Sequence, residues 1–328
     1  MAKVDVQLDI GENDYDPLKF VEAVQYAEEQ GFRTAWLGDH FFPWYHSSDR
    51  SAFVWSVLGV AMDRTKTIRL GPLVTTPIGA RYHPGIIAQA SATLDNMYPG
   101  RFLLGVGTGE ALNERPFWNG RWPEWEERME RLVEGVQLIR QLWDSKKPFG
   151  FDGKYYSADF YYMYTKPRTQ IPIYFSEVGK RAAYYAGRCA DALVTICPRN
   201  DLERMEEVIL PAYRRGIKEA GKKGKGRVHA HFGFTFLSPS ELRKKEWRSL
   251  GWLRKDSWSI KDPVAVEKAG KKVTDEELET GMLFCKDWTD LVRVMQTYVD
   301  AGADEICLSS GAEKQMIKEI RDNVLSVF

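Results

Sequence analysis

The segment from residue 37 to residue 44, Leu-Gly-Asp-His-Phe-Phe-Pro-Trp, carries the side chains best suited to chemistry. A short apolar run ends there in Asp39 and His40, and Trp44 follows four residues after His40. An imidazole titrates near neutral pH, so this acid and histidine suit proton transfer. Only five histidines occur in the chain. The structural alternative is a capped turn, with Asp39 as the helix cap and the aromatic residues as core.

A glycine-rich turn follows a predicted strand at 101–107 and contains Gly107, Thr108, Gly109 and Glu110. Glycines allow backbone N–H groups to approach a planar or phosphorylated ligand without a Cβ in the way. A tight turn between a strand and a helix explains the glycines as well. It gives no reason for Glu110.

A second loop with binding potential opens the predicted helix at 180–189. It combines Ser176, Glu177 and Gly179 with the cations Lys180 and Arg181. Cations and free N–H groups at the start of a helix suit a phosphate. A solvated turn remains an equal alternative at this point.

Metal binding is disfavoured. His229 and His231 have the period-two spacing that places both imidazoles on one face of a strand. No carboxylate cluster accompanies them in the sequence, and they begin the predicted strand at 229–237, which predicts a position at the stability face of a barrel. The four cysteines lack metal-ligand spacing. We therefore predict no metal site, and reduced, buried thiols.

The composition excludes several classes of partner. Lysine plus arginine equals aspartate plus glutamate at 46 each, so no global charge attracts nucleic acid or an anionic membrane. No apolar run approaches membrane-spanning length, and no basic-then-apolar leader precedes the first strand. These features predict a cytoplasmic protein that acts on a small molecule.

Strand-like and helix-like segments alternate along most of the chain, which predicts an α/β fold. Eight strands, each followed by a helix, are typical of a (β/α)8 TIM barrel, and the regular alternation favours it over an open doubly wound sheet. We predict a single barrel domain over 1–328. It is interrupted by an aromatic, hairpin-like segment at 144–170 and by a charged, irregular excursion at 238–280 between strands seven and eight. The predicted strands are 4–10, 34–39, 67–75, 101–107, 172–176, 192–196, 229–237 and 305–309.

Three segments together resemble the luciferase-like superfamily of barrels, and most closely its branch that uses the deazaflavin coenzyme F420. They are 39–44, 84–99 and 107–114, which reads Gly-Thr-Gly-Glu-Ala-Leu-Asn-Glu. Within that branch the chain resembles the secondary alcohol dehydrogenases and the glucose-6-phosphate dehydrogenases. The segment Tyr-Thr-Lys-Pro at 164–167 and the strand at 172–176 favour the former. The resemblance covers nearly the whole chain and is weakest at 221–280.

The resemblance implies hydride transfer between an alcohol carbon and F420. It implies His40 and Asp39 as a catalytic pair, Trp44 beside the reacting carbon and Glu110 as an acid near the deazaflavin ring. It also implies a non-proline cis peptide at Leu73-Val74 behind the ring. The residues that it matches to coenzyme contacts are Asp39, Leu73, Val74, Gly107, Thr108, Gly109, Glu110, Asn113, Ser176, Glu177, Gly179, Lys180, Arg181 and Thr195.

Two departures from the family pattern bear on the substrate. Asn13 stands where several relatives have a glutamate. The positions of the cations that hold the sugar phosphate in the glucose-6-phosphate enzymes fall on Asn200, Ser257 and Gly281, which disfavours glucose 6-phosphate. A sugar or sugar-phosphate dehydrogenase, an FMN-dependent monooxygenase and a non-catalytic flavin-binding barrel remain alternatives. The relatives are homodimers, so the resemblance implies a homodimer.

Overall fold

The computed structural model describes residues 4–11, 16–177, 179–196 and 201–328, and of Glu177 only the backbone. Asn13, its neighbour Asp14 and Asn200 therefore lie outside the described residues. The predicted contacts of the Glu177 side chain lie outside them as well.

Parallel strands build the centre of the molecule. In the described residues eight of them form one sheet, in the order β3-β2-β1-β12-β9-β8-β7-β4. Two further pairs lie outside this sheet: β5 with β6, antiparallel, and β10 with β11, parallel. The strands are β1 Asp5–Asp9, β2 Thr34–Leu37, β3 Arg69–Pro72, β4 Leu104–Val106, β5 Phe149–Asp152, β6 Ser157–Tyr161, β7 Ile173–Glu177, β8 Ala192–Ile196, β9 Arg227–Phe232, β10 Phe234–Thr235, β11 Leu283–Phe284 and β12 Glu305–Ser309.

The two ends of this sheet meet. Isolated parallel bridges join Leu70 to Phe102 and Thr75 to Val106, which brings β3 beside β4 and leaves the strands in a nearly closed barrel. Each barrel strand runs in the same direction, so all carboxyl ends lie at one mouth. The predicted (β/α)8 barrel is confirmed, and so is the hairpin within 144–170, which is β5 and β6.

Helices surround the barrel. Asp16 caps the first one, where its side chain accepts a hydrogen bond from the N–H of Leu18 at 2.9 Å. The helices are α1 Pro17–Glu29, α2 Val54–Asp63, α3 Pro84–Met97, α4 Ala111–Glu114, α5 Trp125–Asp144, α6 Lys180–Cys189, α7 Leu202–Arg204, α8 Leu210–Glu219, α9 Pro239–Glu246, α10 Pro263–Gly270, α11 Asp275–Gly281, α12 Trp288–Ala301 and α13 Lys314–Ile320. None in the described part of the chain is long and apolar enough to cross a membrane.

The barrel strands bury both faces. Alternate residues face outward into one large apolar cluster shared with the helices, as Leu8 and Ile10 do. The residues between them face the barrel interior, where Trp36, Tyr174 and Cys307 pack together. Burial on both faces explains the largely apolar sequence of strands such as β2 and β8, whereas β1 and β9 alternate apolar residues with polar ones.

The excursion at 238–280 is not irregular, so that part of the prediction is wrong. It contains α9, α10 and α11, and its apolar residues Leu242, Leu250, Leu253, Val273 and Leu278 form a small core of their own. Its two flanking helices begin with reciprocal capping boxes, Ser238 with Glu241 and Thr274 with Glu277. The high charge of this segment obscured the five apolar residues that form its core.

Candidate active site

The predicted site residues follow neighbouring strands of the barrel. Asp39 and His40 follow β2, Leu73 and Val74 follow β3, and residues 107–110 follow β4. Ser176 lies near the end of β7 and Thr195 near the end of β8. Because β2, β3, β4, β7 and β8 are consecutive around the barrel, these residues line one continuous arc of its mouth.

Asp39 is buried and bound by two donors. Arg81 donates from Nη2 to its Oδ1 at 2.5 Å and from Nη1 to its main-chain carbonyl at 2.9 Å. The Tyr82 hydroxyl also donates to Oδ1, at 3.0 Å. The other carboxylate oxygen, Oδ2, is buried and has no hydrogen-bond partner among the described residues. Asp39 is thus a carboxylate held in place through Oδ1, and its Oδ2 can accept a further hydrogen bond.

Arg81 joins a second buried acid to this cluster. Its Nη1 lies 3.1 Å from Glu114 Oε1, and the side chains of Arg81, Asp39 and Glu114 are all at most 5% exposed. Burial raises the pKa of Glu114, and the nearby Arg81 offsets part of that rise. Burial and the Asp39 charge both raise the pKa of Tyr82, so its hydroxyl stays protonated and donates.

The loop after β2 is attached to the helix after β4. Asn113 of α4 accepts hydrogen bonds at 3.0 Å from the N–H groups of both Phe41 and Phe42. Glu110 stands at the N-cap position of the same helix. Together with the Arg81–Glu114 pair, this contact brings the His40 loop and the Glu110 loop to the same part of the mouth.

His40 lies against an aromatic wall. Its ring is partly buried and meets the Trp44 ring edge-on, with centroids 4.8 Å apart. Trp252 from the excursion lies next, 6.3 Å from Trp44. The Ser51 hydroxyl donates to the main-chain carbonyl of His40 at 3.1 Å. No hydrogen bond joins His40 to Asp39 in the described residues, and the side-chain bonds to the Asp39 carboxylate come from Arg81 and Tyr82.

The segment after β3 has the backbone feature that the resemblance implies: the peptide bond between Leu73 and Val74 is cis. Leu73 and Val74 are partly exposed, whereas their neighbours on both sides are buried. Gly107 packs directly on this segment, since a Cβ there would lie 2.6 Å from Val74 Cγ2. The glycine is therefore required for packing between the two loops, whatever else its N–H contacts.

A cavity of about 440 Å³ opens where β4, β7 and α6 meet. Thr108, Ser176, Gly179 and Lys180 line it, and Gly179 is the N-cap of α6. Free N–H groups and a lysine at the start of a ten-residue helix make this end of the arc favourable for an anion. Arg181 also lines the cavity but forms an ion pair with Glu126 at 2.8 Å.

The two histidines of β9 face the barrel interior, and the prediction about their surroundings is wrong. Carboxylates do join them: His229 lies 3.3 Å from Glu305, and His231 lies 3.3 Å from Asp9. Strands β1 and β12 supply these acids from far along the chain, so the local sequence gave no sign of them. The strand also begins at Arg227 rather than His229, which places His231 near its carboxyl end.

His229, His231 and Cys307 bring potential metal-ligand atoms within 4.8 Å of one another. His229 and Cys307 are completely buried. Burial lowers the pKa of His229 and raises the pKa of Cys307, so both groups are neutral in the folded protein. Cys307 packs with Trp36 and Tyr174 in the barrel interior, next to the two histidines.

The chain matches the luciferase-like monooxygenase family over residues 2–324. The chain belongs to this family. The luciferase-like chain is 33% identical over 318 residues to the F420-dependent glucose-6-phosphate dehydrogenase 2 of Rhodococcus jostii strain RHA1, covering 95% of this chain and 94% of that one. It is 33% identical over 320 residues to the F420-dependent glucose-6-phosphate dehydrogenase of Mycolicibacterium gilvum strain PYR-GCK, covering 96% and 94%.

Among solved structures, this luciferase-like barrel is similar to an F420-dependent secondary alcohol dehydrogenase in complex with an F420-acetone adduct. The two share 32% sequence identity, the match covers 99% of both chains, and the TM-score is 0.88. A reductase acting on tetrahydromethanopterin from Methanopyrus kandleri, at 21% identity and a TM-score of 0.73, shares the fold. The family and the barrel are thus established over nearly the full length.

Sequence reasoning missed three members of the site in this luciferase-like chain: Arg81, Tyr82 and the role of Glu114. A signal for the first two was available. Arg81 and Tyr82 lie three and two residues before Pro84, which begins α3, in the loop after β3 at the functional end of the barrel. Their partner Asp39 follows a different strand, and only the observed contacts identify it.

Proposed function

We propose that this protein is an F420-dependent oxidoreductase that oxidises secondary alcohols. The F420 dependence follows from relatives and a solved structure that match nearly the whole chain and carry that coenzyme in their names. The choice of alcohol is carried by one observation of this chain, the aromatic wall of Trp44 and Trp252 beside His40.

The described residues fit the coenzyme. The partly exposed pair Leu73 and Val74 offers an apolar surface for a flat ring, and Asp39 Oδ2 is a buried acceptor that lacks a donor. The cavity at the start of α6, with Lys180 and Ser176, suits the phosphate of the tail. Coenzyme contacts are proposed for Asp39, Leu73, Val74, Gly107, Thr108, Gly109, Glu110, Asn113, Ser176, Glu177, Gly179, Lys180, Arg181 and Thr195.

Bound F420 supplies the acceptor for the hydride that leaves the alcohol carbon. The protein handles the protons. His40 accepts the hydroxyl proton as the alcohol is oxidised, because an imidazole is a base near neutral pH. Glu110 provides an acid on the neighbouring loop, and Trp44 restricts where the substrate lies. Asp39 acts as a fixed negative charge near the site rather than as a direct partner of His40.

The excursion supports a small apolar substrate over a sugar phosphate. Lys255, the described cation nearest in sequence to the expected phosphate positions, is in an ion pair with Glu276 at 2.9 Å. Gly281 presents no cation and packs on Leu253, since a Cβ there would lie 2.6 Å from Leu253 Cδ2. Trp252 belongs to the same packed segment, and its ring lies 6.3 Å from that of Trp44.

We also propose a single barrel domain that forms a homodimer in the cytoplasm. Helix α2 is apolar almost all round, and Val60 on it is 41% exposed, while Ile86 and Met97 on α3 are 57% and 56% exposed. A surface helix with exposed apolar residues favours a second copy as its cover. Cys189, Cys285 and Cys307 are free thiols, which is typical of a reducing compartment.

An anaerobic screen tests the function directly. Purified protein is mixed with oxidised F420 and with secondary alcohols, primary alcohols, glucose and glucose 6-phosphate in turn, and the loss of the F420 absorbance is followed. We expect secondary alcohols to give the highest kcat/KM. Preference for glucose 6-phosphate would contradict the proposed substrate but not the coenzyme, whereas failure to bind F420 would contradict both.

A further inference from the structure

The loop after β2, which carries His40 and Trp44, is attached both to the barrel and to the excursion. Near its start, Asn113 of α4 accepts hydrogen bonds from two of its main-chain N–H groups. Further along, Ser47 donates from its N–H to Glu267 Oε1 of α10 at 2.8 Å, and its hydroxyl donates to the same oxygen. Trp44 therefore lies in the chain between these two attachments.

The excursion holds Glu267 in a fixed place. The preceding residue, Val266, is 1% exposed. Gly251 packs so closely on it that a Cβ there would overlap the main-chain oxygen of Val266. Gly251 belongs to the 3-10 helix that also carries Trp252, whose ring lies 6.3 Å from that of Trp44. Glu267 and Trp252 thus belong to one packed unit, and this unit contacts the loop at two points.

The attachment at Ser47 is a charged one. The hydrogen bond from the Ser47 hydroxyl lowers the pKa of Glu267, and so do the bond from the Ser47 N–H and the nearby His46 and Arg248, while burial acts in the opposite direction. An ionised acceptor makes stronger hydrogen bonds than a neutral one. Ser47 itself is exposed, so its side chain adds nothing to a core. The bonds to Glu267 place the loop rather than stabilise the fold.

We propose that Glu267 is a positioning residue for the reaction: by holding Ser47, it keeps Trp44 packed against His40 and so sets the position of the base. The rings of Trp44 and His40 are 4.8 Å apart, and Ser47 follows Trp44 by three residues. Small displacements of a catalytic group lower the rate strongly, even when their origin is remote. The inference rests on the proposed alcohol oxidation for the role of His40 as base, but not for the attachment of its loop.

Kinetics test the attachment. Glu267→Ala should lower kcat for secondary alcohols about 10-fold, while the Kd of F420 changes less than about twofold. Glu267→Gln keeps an oxygen that can accept both bonds and should retain kcat within about threefold. The matched control is Asp275→Ala, which removes another exposed acid of the excursion, paired with Arg243 at 2.6 Å. It should leave kcat unchanged. Wild-type kcat in Glu267→Ala, or equal losses in Glu267→Ala and either of the other variants, would overturn the proposal.

A double-mutant cycle keeps the proposal testable if Glu267→Ala folds poorly, which its melting temperature would show. Ser47→Ala removes the hydroxyl bond and keeps the N–H bond, so kcat should fall by about two- to threefold. In the Glu267→Gln background the same change should again lower kcat, whereas in Glu267→Ala it should have no further effect. Equal effects of Ser47→Ala in all three backgrounds would show that Ser47 does not act through Glu267.

Nuclear magnetic resonance tests the position of His40 without turnover. The chain has five histidines, so the His40 signals of ¹⁵N-histidine-labelled protein can be assigned by comparison with His40→Ala. Glu267→Ala should shift or broaden the His40 signals, Glu267→Gln should restore them, and His229 in the barrel interior should be unaffected in both. Unchanged His40 signals in Glu267→Ala would overturn the proposal.

The two readouts separate failure of this inference from failure of the proposed function. If the wild type oxidises no alcohol but the His40 signals respond to Glu267→Ala and recover in Glu267→Gln, alcohol oxidation fails and the positioning role stands. If alcohols are oxidised and Glu267→Ala changes neither kcat nor the His40 signals, the positioning role fails and alcohol oxidation stands.

Discussion

Two of the acids in this barrel that have a histidine close by, Asp39 and Asp9, differ in their pairing. Asp39 precedes His40 in the chain, yet its carboxylate is bound by Arg81 and Tyr82. Asp9 is separated from His231 by more than two hundred residues, yet the two side chains are bonded. The order of the strands around the barrel decides which acid meets which base, and proximity in the chain does not. We expect the two histidines to differ accordingly in function.

The largest expected effect belongs to His40. Replacement by alanine should lower kcat about 10²- to 10⁴-fold, because the base that takes the hydroxyl proton is lost. The Kd of F420, measured by fluorescence, should stay near the wild-type value. Near-normal turnover by His40→Ala would remove His40 from the mechanism.

Arg81 is expected to matter most for stability. Arg81→Met leaves Asp39 and Glu114 buried without a cation, and breaking a buried pair in this way costs about 3–5 kcal/mol of the free energy of unfolding. The control is Arg69→Met at the other end of the barrel, where the ion pair with Asp5 is about 30% exposed and costs at most about 1 kcal/mol. Urea unfolding measures both. Equal losses in the two variants would show that burial does not distinguish the two ion pairs.

If the Arg81 variant does not fold, Glu114→Gln gives an independent measurement. It removes one of the two acids and leaves the Arg81–Asp39 pair intact. Burial raises the pKa of Glu114, so neutralising it should cost much less than removing Arg81. If Glu114→Gln lowered the free energy of unfolding as much as is expected for Arg81→Met, the claim that Arg81 stabilises both acids would be contradicted.

The sequence alone predicts some residues of the site but not their partners. Asp39, His40 and Glu110 were predictable, because each follows a recognisable strand and functional residues of such barrels collect there. The partners of Asp39 and of His231 were not, since each contact joins different strands. Two helices at 238–280 could have been predicted from the sequence, because the Ser238–Glu241 and Thr274–Glu277 spacings are typical of capping boxes.

The buried histidine of β9, His229, gives a prediction about stability at acidic pH. Burial lowers the pKa of His229 below its usual 6.5, so the unfolded chain takes up a proton that the folded chain does not. The contribution of this group to the free energy of unfolding is therefore most favourable above pH 6.5. It falls on acidification towards pH 5 by at most about 1.4 kcal/mol per pH unit from this group. Unfolding in urea at several pH values measures the slope, and His229→Gln should reduce it. An unchanged slope in that variant would assign the acid sensitivity to other groups.

The smallest expected effect concerns Tyr82, and it tests how firmly Asp39 is fixed. Tyr82→Phe removes one hydrogen bond to Asp39 Oδ1 and leaves the bond from Arg81, so the free energy of unfolding should fall by about 1 kcal/mol. Tyr156→Phe is the control, because its buried hydroxyl bonds the main-chain oxygen of Pro77 at 3.1 Å and contacts no part of the Asp39 cluster. Both variants should lose similar stability, but only Tyr82→Phe should weaken F420 binding, by about two- to fivefold, because Asp39 Oδ2 is then held less firmly. Equal coenzyme affinity in the two variants would mean that Arg81 alone is sufficient to fix the carboxylate.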